Sequence, residues 1–154
     1  MGLVQFIAGL FSPSNRRSFP SSNGSAEEDD RAWLGREGER LAARHLKRSG
    51  YRVLYRNFRA PHGGEVDIVC RDHDTLVFVE VKTRRSLTFG SPAESVTREK
   101  QKLIARGALA WLDLLGNPDN IFFRFDIVEI VFEEEVPTFH IIKDAFKLPE
   151  PYVY

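Results

Sequence analysis

Apolar and polar positions alternate along the chain in two periods that predict helices and strands. From Asp29 or Asp30, either of which can cap a helix, apolar residues recur at helical spacing to about Ser49, and Gly50 ends the helix. Glu39 lies at the border of the apolar stripe, so we expect its carboxylate to be neither in the core nor fully in solvent. The stripe itself consists of Leu34, Gly38, Leu41, Ala42, His45 and Leu46.

The rest of the chain predicts three strands, a second helix and two further strands, at about 51–58, 65–70, 75–83, 97–115, 121–132 and 138–143. An acidic turn at residues 133–135 joins the last two strands. This order predicts one α/β domain over residues 31–148, with a flexible tail before it at 1–30 and a short tail after it at 149–154. The apolar stretch at residues 3–11 is about half the length that spans a bilayer, so we expect no membrane partner.

The second and third strands form a predicted hairpin whose turn centres on His73 and Asp74. Paired positions then sum to 147, which places Asp67 opposite Glu80 and Glu65 opposite Lys82. We therefore expect these four charged side chains on one face of the hairpin.

Strand alternation separates two unlike faces of the third strand, 76–82. One face is apolar throughout and contains Val77, Val79 and Val81. The other begins apolar with Leu76 and Phe78 and ends with Glu80 and Lys82, as at the rim of a cleft. The second strand repeats the pattern: its predicted apolar face is Val66, Ile68 and Cys70, and Glu65 and Asp67 lie on the charged face.

Carboxylates that converge at such a rim repel one another and raise one another's pKa unless a cation lies between them. Hard oxygen ligands favour Mg²⁺ or Mn²⁺, and a neighbouring lysine could orient or deprotonate an attacking water. The alternative is that Glu80 and Lys82 are the ordinary charged end of a strand, paired with Glu65 across the hairpin.

The 22 basic and 22 acidic residues cancel, yet they are unevenly distributed. Residues 31–62 carry nine Lys or Arg against two Glu, a local charge of +7, whereas residues 117–150 carry three against eight, a local charge of −5. A basic first half can attract phosphate. The alternative is that these arginines only form the solvent-exposed face of a helix. The single cysteine, Cys70, fits a reducing cytoplasm, and the four scattered histidines do not indicate a zinc site.

Six sequence blocks resemble the signature of the bacterial YraN-like family. They contain GREGE at 35–39, GYxVLxxNFR at 50–59, GEVDIV at 64–69, FVEVKTR at 78–84, KQKL at 100–103 and RFDIV at 124–128. That family is similar to the Holliday-junction-resolvase and restriction-endonuclease group, the PD-(D/E)XK nucleases. The resemblance covers about residues 31–148 and implies an αβββαβ core with a mixed central sheet flanked by helices. One departure is Val66, which stands where the motif's proline would precede Asp67.

The resemblance also implies roles for individual residues. Asp67 and Glu80 would be metal ligands, Lys82 the catalytic lysine, and Glu39 an additional glutamate from the first helix. Lys100 or Gln101 falls where related resolvases place a polar residue facing the site. Contacts to the phosphate backbone are expected from Arg36, Arg56, Arg59, Arg84 and Arg85, together with Lys100 and Gln101.

The sequence favours a magnesium- or manganese-dependent endonuclease acting on DNA, including branched DNA. A second reading is a non-catalytic nucleic-acid-binding or DNA-processing accessory protein that keeps the fold. A third is a housekeeping α/β module whose acidic edge binds a protein. By analogy with resolvases that cut two strands, the resemblance also allows a homodimer.

Overall fold

The computed structural model describes residues 25–85, 94–132 and 136–154. The predicted order of helices and strands is confirmed, and the elements are α1 (Ser25–Arg48), β1 (Arg52–Arg59), β2 (Glu65–Asp72), β3 (Thr75–Arg84), α2 (Arg98–Leu114), β4 (Phe122–Val131) and β5 (Thr138–Phe146). The acidic turn at 133–135 and the apolar stretch at 3–11 lie outside the described residues. None of the helices in the described ranges is long and apolar enough to cross a membrane.

The five strands form one mixed sheet in the order β1-β2-β3-β4-β5. β3 and β4 run parallel, because α2 lies in the crossover between them, and every other neighbouring pair is antiparallel. One core lies between the sheet and α1, and a second contains Ile104, Ala108 and Leu112 of α2. The predicted α/β class and mixed sheet are therefore confirmed.

The helix α1 buries the predicted stripe but begins earlier than expected. Leu41, Ala42 and Leu46 are fully buried, Gly38 is buried, and the positive φ of Gly50 ends the element. The prediction that Asp29 or Asp30 caps the helix is wrong, because the helix already runs from Ser25. Acidic residues in a first turn are favoured by the helix dipole, and no apolar stripe marks that turn in the sequence.

The helix α2 begins after Thr97, whose hydroxyl oxygen accepts a hydrogen bond from the backbone N–H of Lys100 at 3.3 Å. Its buried side is made of small and aliphatic residues, namely Ile104, Ala105, Gly107, Ala108 and Leu112. This cap fixes the first turn of the helix, and with it the position of Lys100.

The hairpin of β2 and β3 has the predicted register from Asp72–Thr75 to Ile68–Val79, and His73 in the turn has a positive φ. The predicted pairs of Asp67 with Glu80 and of Glu65 with Lys82 are not formed, because the β2–β3 ladder ends at Ile68–Val79. One prediction about its faces is wrong: Ile68 and Cys70 pack in the core against α1, whereas Val66 packs in the core that contains α2. The strict alternation fails because Val66 lies beyond the last β2–β3 pair and follows its β1 partner Phe58 instead.

Candidate active site

The candidate site lies where β2 separates from β3. Beyond the Ile68–Val79 pair, Val66 and Glu65 stay paired with β1, while β3 continues beside β4 as far as Arg84. Asp67 stands at the point of separation, and its Oδ2 accepts a hydrogen bond from the backbone N–H of Val81 at 2.8 Å. The carboxylate of Asp67 thus takes the place of a ladder partner and is held beside the end of β3.

Glu80 is the most deeply buried acid of this cleft, with 3% of its surface exposed. The Nζ of Lys82 lies 3.3 Å from its Oε1, and the Nζ of Lys100 lies 3.5 Å from its Oε2. No hydrogen bond reaches Oε2 among the described residues. Burial without full hydrogen bonding is costly for a carboxylate, so this atom is available to a further ligand.

Burial and the neighbouring Asp67 raise the pKa of Glu80 from its ordinary value to about 7, while Lys100 and Lys82 lower it. Asp67 and Glu80 are therefore neighbouring carboxylates at the end of β3.

Glu39 reaches the cleft from α1, on the other side of the sheet. The preceding Gly38 permits this, because a Cβ at that position would lie 2.2 Å from the Oγ1 of Thr83 near the end of β3. As predicted, Glu39 is only partly buried. Burial and then the charge of Asp67 raise its pKa, whereas a hydrogen bond from Asn57 lowers it.

Glu65 belongs to the same cleft, although the sequence interpretation gave it no role in the site. Its carboxylate pairs with Arg59 through one oxygen and with Lys100 through the other. The backbone of Glu65 is in close contact with α2: a Cβ on Gly107 would lie 2.9 Å from the nitrogen and the carbonyl carbon of Glu65. Its position on the charged face of the hairpin was the only sequence signal for this residue.

The predicted phosphate-binding residues differ in their surroundings. Arg36, Arg56 and Arg85 are exposed, and Arg56 is near enough to lower the pKa of Glu39. Arg59 keeps 62% of its side-chain surface exposed while it pairs with Glu65.

Two other predicted contacts are engaged within the protein. Arg84 is largely covered and pairs with Glu129 of β4 at 3.0 Å. The side-chain amide of Gln101 donates to the carbonyl of Val96 at 3.1 Å. Of the two polar residues predicted to face the site from α2, Lys100 is the one in contact with its carboxylates.

The donor set suits a hard divalent cation that takes most of its ligands from elsewhere. In the described part of the chain, no three His, Cys, Asp or Glu side chains are arranged closely enough to hold a metal ion by themselves. Asp67 and Glu80 form a close pair, and Glu80 has one buried oxygen without a hydrogen bond. Magnesium typically binds one or two carboxylates and completes its shell with water and phosphate oxygens, so the pair fits this ion.

A second polar cluster, which the sequence interpretation missed, lies at the opposite end of β2. Arg124 pairs with the fully buried Asp126 at 2.9 Å and with Asp72 at 2.7 Å, and Lys143 also pairs with Asp72 at 3.0 Å. Asp126 further accepts the backbone N–H of Asp144. Hydrogen bonds from Arg124 and Lys143 hold the pKa of Asp72 well below its usual range. These groups satisfy one another, so this cluster joins β2, β4 and β5 as a structural element.

Comparison with known proteins gives a consistent family match. A sequence model described as "Uncharacterised protein family UPF0102" matches residues 38–130. A UPF0102 protein of Chlorobaculum tepidum is 54% identical over 99 residues, which is 64% of this chain and 75% of the relative. Another, of Geobacter sulfurreducens, is 50% identical over 116 residues, covering 75% of this chain and 89% of the relative. The matched segment includes all the carboxylates and lysines of the cleft.

Proposed function

The chain belongs to the UPF0102 family, and we propose that its acidic cleft is the active site of a magnesium-dependent endonuclease that hydrolyses phosphodiester bonds in DNA. The predicted YraN-like family is thereby confirmed as UPF0102. The relation to nucleases and the activity are proposals that rest on the geometry of the cleft.

The observation that carries the proposal is the close pair of Asp67 and Glu80. Two neighbouring carboxylates, one of them buried with an oxygen that accepts no hydrogen bond, are unfavourable in the protein alone. A divalent cation between them removes the repulsion and supplies the missing ligand for Oε2. Such a cation, when bound, polarises a phosphoryl oxygen and offsets the charge that develops on the phosphate.

Each side chain of the cleft has a distinct part in this reaction. Asp67 and Glu80 hold the cation, and the orientation of Asp67 is fixed by the N–H of Val81. Glu39 assists from α1, directly or through water. Lys82 donates a hydrogen bond to the attacking water and stabilises the negative charge of the transition state. Attack in line with the leaving oxygen breaks the P–O3′ bond and leaves a 5′-phosphate, as the family resemblance implies.

Exposed arginines next to the cleft suit the backbone of a nucleic acid. Arg56 and Arg59 on β1 lie near enough to Glu39 to lower its pKa, and Arg59 pairs with Glu65. Arg36 on α1 and Arg85 after β3 are also exposed. Contacts of this type bind phosphate without reading bases, so we expect affinity to fall steeply with salt and cutting to be independent of sequence.

Cleavage by the purified protein tests the proposal. Magnesium or manganese would be titrated against linear duplex, single-stranded and four-way-branched DNA. We expect metal-dependent cleavage that falls by about a hundredfold or more in Glu80→Gln and Lys82→Met, because each variant removes a group that acts on the transition state.

Matched controls are Glu99→Gln and Lys102→Met, which remove the same charges from α2 at positions outside the cleft. Both should cleave like the original protein. Cleavage that is equal in all five proteins would identify a contaminating nuclease. DNA binding that persists in every variant, with no cleavage under any metal condition, would instead favour the non-catalytic accessory protein.

A further inference from the structure

The ammonium group of Lys100 lies between two carboxylates of the cleft. It pairs with Glu65 and lies 3.5 Å from the Oε2 of Glu80, which is the oxygen without a hydrogen bond. Its side chain is only 23% exposed. A single positive charge therefore already stands beside the atom that the proposed metal would coordinate.

The location of Lys100 in its helix shows that the acidic cleft holds it there. Thr97 is the cap of α2, so Lys100 is in the first turn, close to the positive end of the helix dipole. A lysine is disfavoured at that end of a helix. The attraction of Glu65 and Glu80 outweighs this repulsion.

The two lysines of the cleft differ in the carboxylates that they contact. Lys82 contacts the Oε1 of Glu80 from the same strand, two positions away. Lys100 comes from another element and has a second carboxylate partner, Glu65, which Arg59 holds from its other side. Lys100 can therefore move away from Glu80 and remain paired with Glu65.

We propose that Lys100 is an internal counter-ion that balances Glu80 in the metal-free protein and is transferred fully to Glu65 when a divalent cation binds to Asp67 and Glu80. This inference rests on the proposed metal site. Glu65 is then a positioning residue, because it acts on the metal only by retaining the ammonium group. The exchange keeps the cleft near charge balance in both states and makes metal binding a competition between two cations.

The proposal predicts opposite changes for the two partners. Lys100→Met removes the competing charge beside the Oε2 of Glu80, so affinity for Mn²⁺ should rise about tenfold or more. Glu65→Gln removes the alternative partner, so Lys100 stays on Glu80 and affinity should fall by a similar factor. In the double variant the effect of Glu65→Gln should disappear, because the charge that it controls is absent.

Electron paramagnetic resonance of free Mn²⁺, measured without nucleic acid, gives these affinities. Lys102→Met and Glu99→Gln are the controls for a change of net charge on α2, and both should bind Mn²⁺ like the original protein. Unchanged or weaker binding in Lys100→Met, absence of binding in all variants, or a Glu65→Gln effect that persists in the double variant would each overturn the counter-ion role.

The outcome separates this inference from the proposed activity. Tighter Mn²⁺ binding in Lys100→Met, together with no cleavage of DNA by any protein, would support the counter-ion and contradict the nuclease. Cleavage that depends on Glu80, together with unchanged Mn²⁺ affinity in Lys100→Met, would support the nuclease and contradict the counter-ion.

Discussion

At the scale of single residues, Glu80 indicates that the cleft binds a ligand, because its buried carboxylate lowers the stability of the folded protein. Its buried carboxylate faces Asp67, and its pKa is raised by burial first and by Asp67 second. A carboxyl group whose pKa is higher in the folded state than in the unfolded chain favours unfolding once it is ionised. The burial of Glu80 beside Asp67 is therefore explained by the binding of a ligand rather than by a contribution to the stability of the fold.

Replacement of Glu80 by Gln should stabilise the metal-free protein at alkaline pH. The folded protein retains a proton on Glu80 up to about pH 7, whereas the unfolded chain loses it near 4.5, so stability falls as pH rises between these values and is constant above. Glu80→Gln abolishes this loss, and its amide can donate to Asp67. Urea unfolding should show a small difference from the original protein at pH 5 and a gain of up to about 3 kcal/mol at pH 8.

Glu99→Gln, at an exposed position, controls for the loss of one charge and should change stability little at either pH. If Glu80→Gln were less stable than the original protein at pH 8, the ionised Glu80 would stabilise the fold. The burial of its charge beside Asp67 would then not destabilise the protein.

Side-chain alternation in β2 and β3 predicted that Asp67, Glu80 and Lys82 share one face of the hairpin. The ladder on which this prediction rested ends at Ile68–Val79, just before Asp67. The partnership of Glu65 with Lys100 could not be predicted in the same way, because it depends on how α2 packs against the start of β2. Side-chain hydrogen bonding such as that of Asp67 to the N–H of Val81 likewise follows only from the separation of the two strands.

At the scale of elements, close contacts at glycine set the positions of both helices relative to the cleft. Gly38 brings α1 against Thr83 of β3, and Gly107 brings α2 against Glu65 of β2. Each contact lies beside a residue that the helix contributes or orients, Glu39 in the first case and Lys100 with Glu65 in the second. Each helix thus lies so close to a strand that a side chain larger than that of glycine would not fit at the contact.

Two glycines of α1 allow a matched test of this packing. Gly35→Ala meets no atom within 4 Å and should stabilise the helix by about 0.5–1 kcal/mol, whereas Gly38→Ala must move Thr83 and should destabilise the protein by about 1–3 kcal/mol. Thermal unfolding measures both changes. Cleavage should fall in Gly38→Ala alone, because Glu39 moves with the helix.

Thr83→Ala removes the hydroxyl that the new methyl group would meet, so it should restore part of the stability lost in Gly38→Ala. Equal stability of the Gly35→Ala and Gly38→Ala proteins would show that α1 does not depend on this contact.

At the scale of the whole molecule, β2 carries a polar cluster at each end, and the two have different roles. At about 3.3 Å per residue, Glu65 and Asp72 are about 23 Å apart. The cluster of Arg124, Asp126 and Asp72 is internally satisfied, whereas the cleft retains an oxygen of Glu80 without a hydrogen bond. The RFDIV block at 124–128 therefore contributes to the fold, a role that sequence patterns alone do not distinguish from a role in the site.

The element order and mixed sheet followed from periodicity, turn residues and family resemblance, because each element has a clear apolar pattern. The start of α1 could not be predicted in this way, because its first turn has no apolar pattern. The face on which Val66 lies could not be predicted either, because it depends on the separation of β2 from β3. The charge asymmetry along the chain does not show which arginines are exposed: Arg56 is exposed, whereas Arg84 is largely covered and paired with Glu129.

The most direct test of the central claim is the position of manganese in crystals grown with Mn²⁺ and a short DNA carrying an uncleavable phosphodiester analogue, measured by anomalous scattering. We expect one Mn²⁺ at about 2.0–2.2 Å from an oxygen of Asp67, an oxygen of Glu80 and a phosphoryl oxygen, with the Nζ of Lys82 beside the phosphate. Manganese bound elsewhere, or a phosphate that reaches the arginines with no metal between Asp67 and Glu80, would contradict the proposed active site.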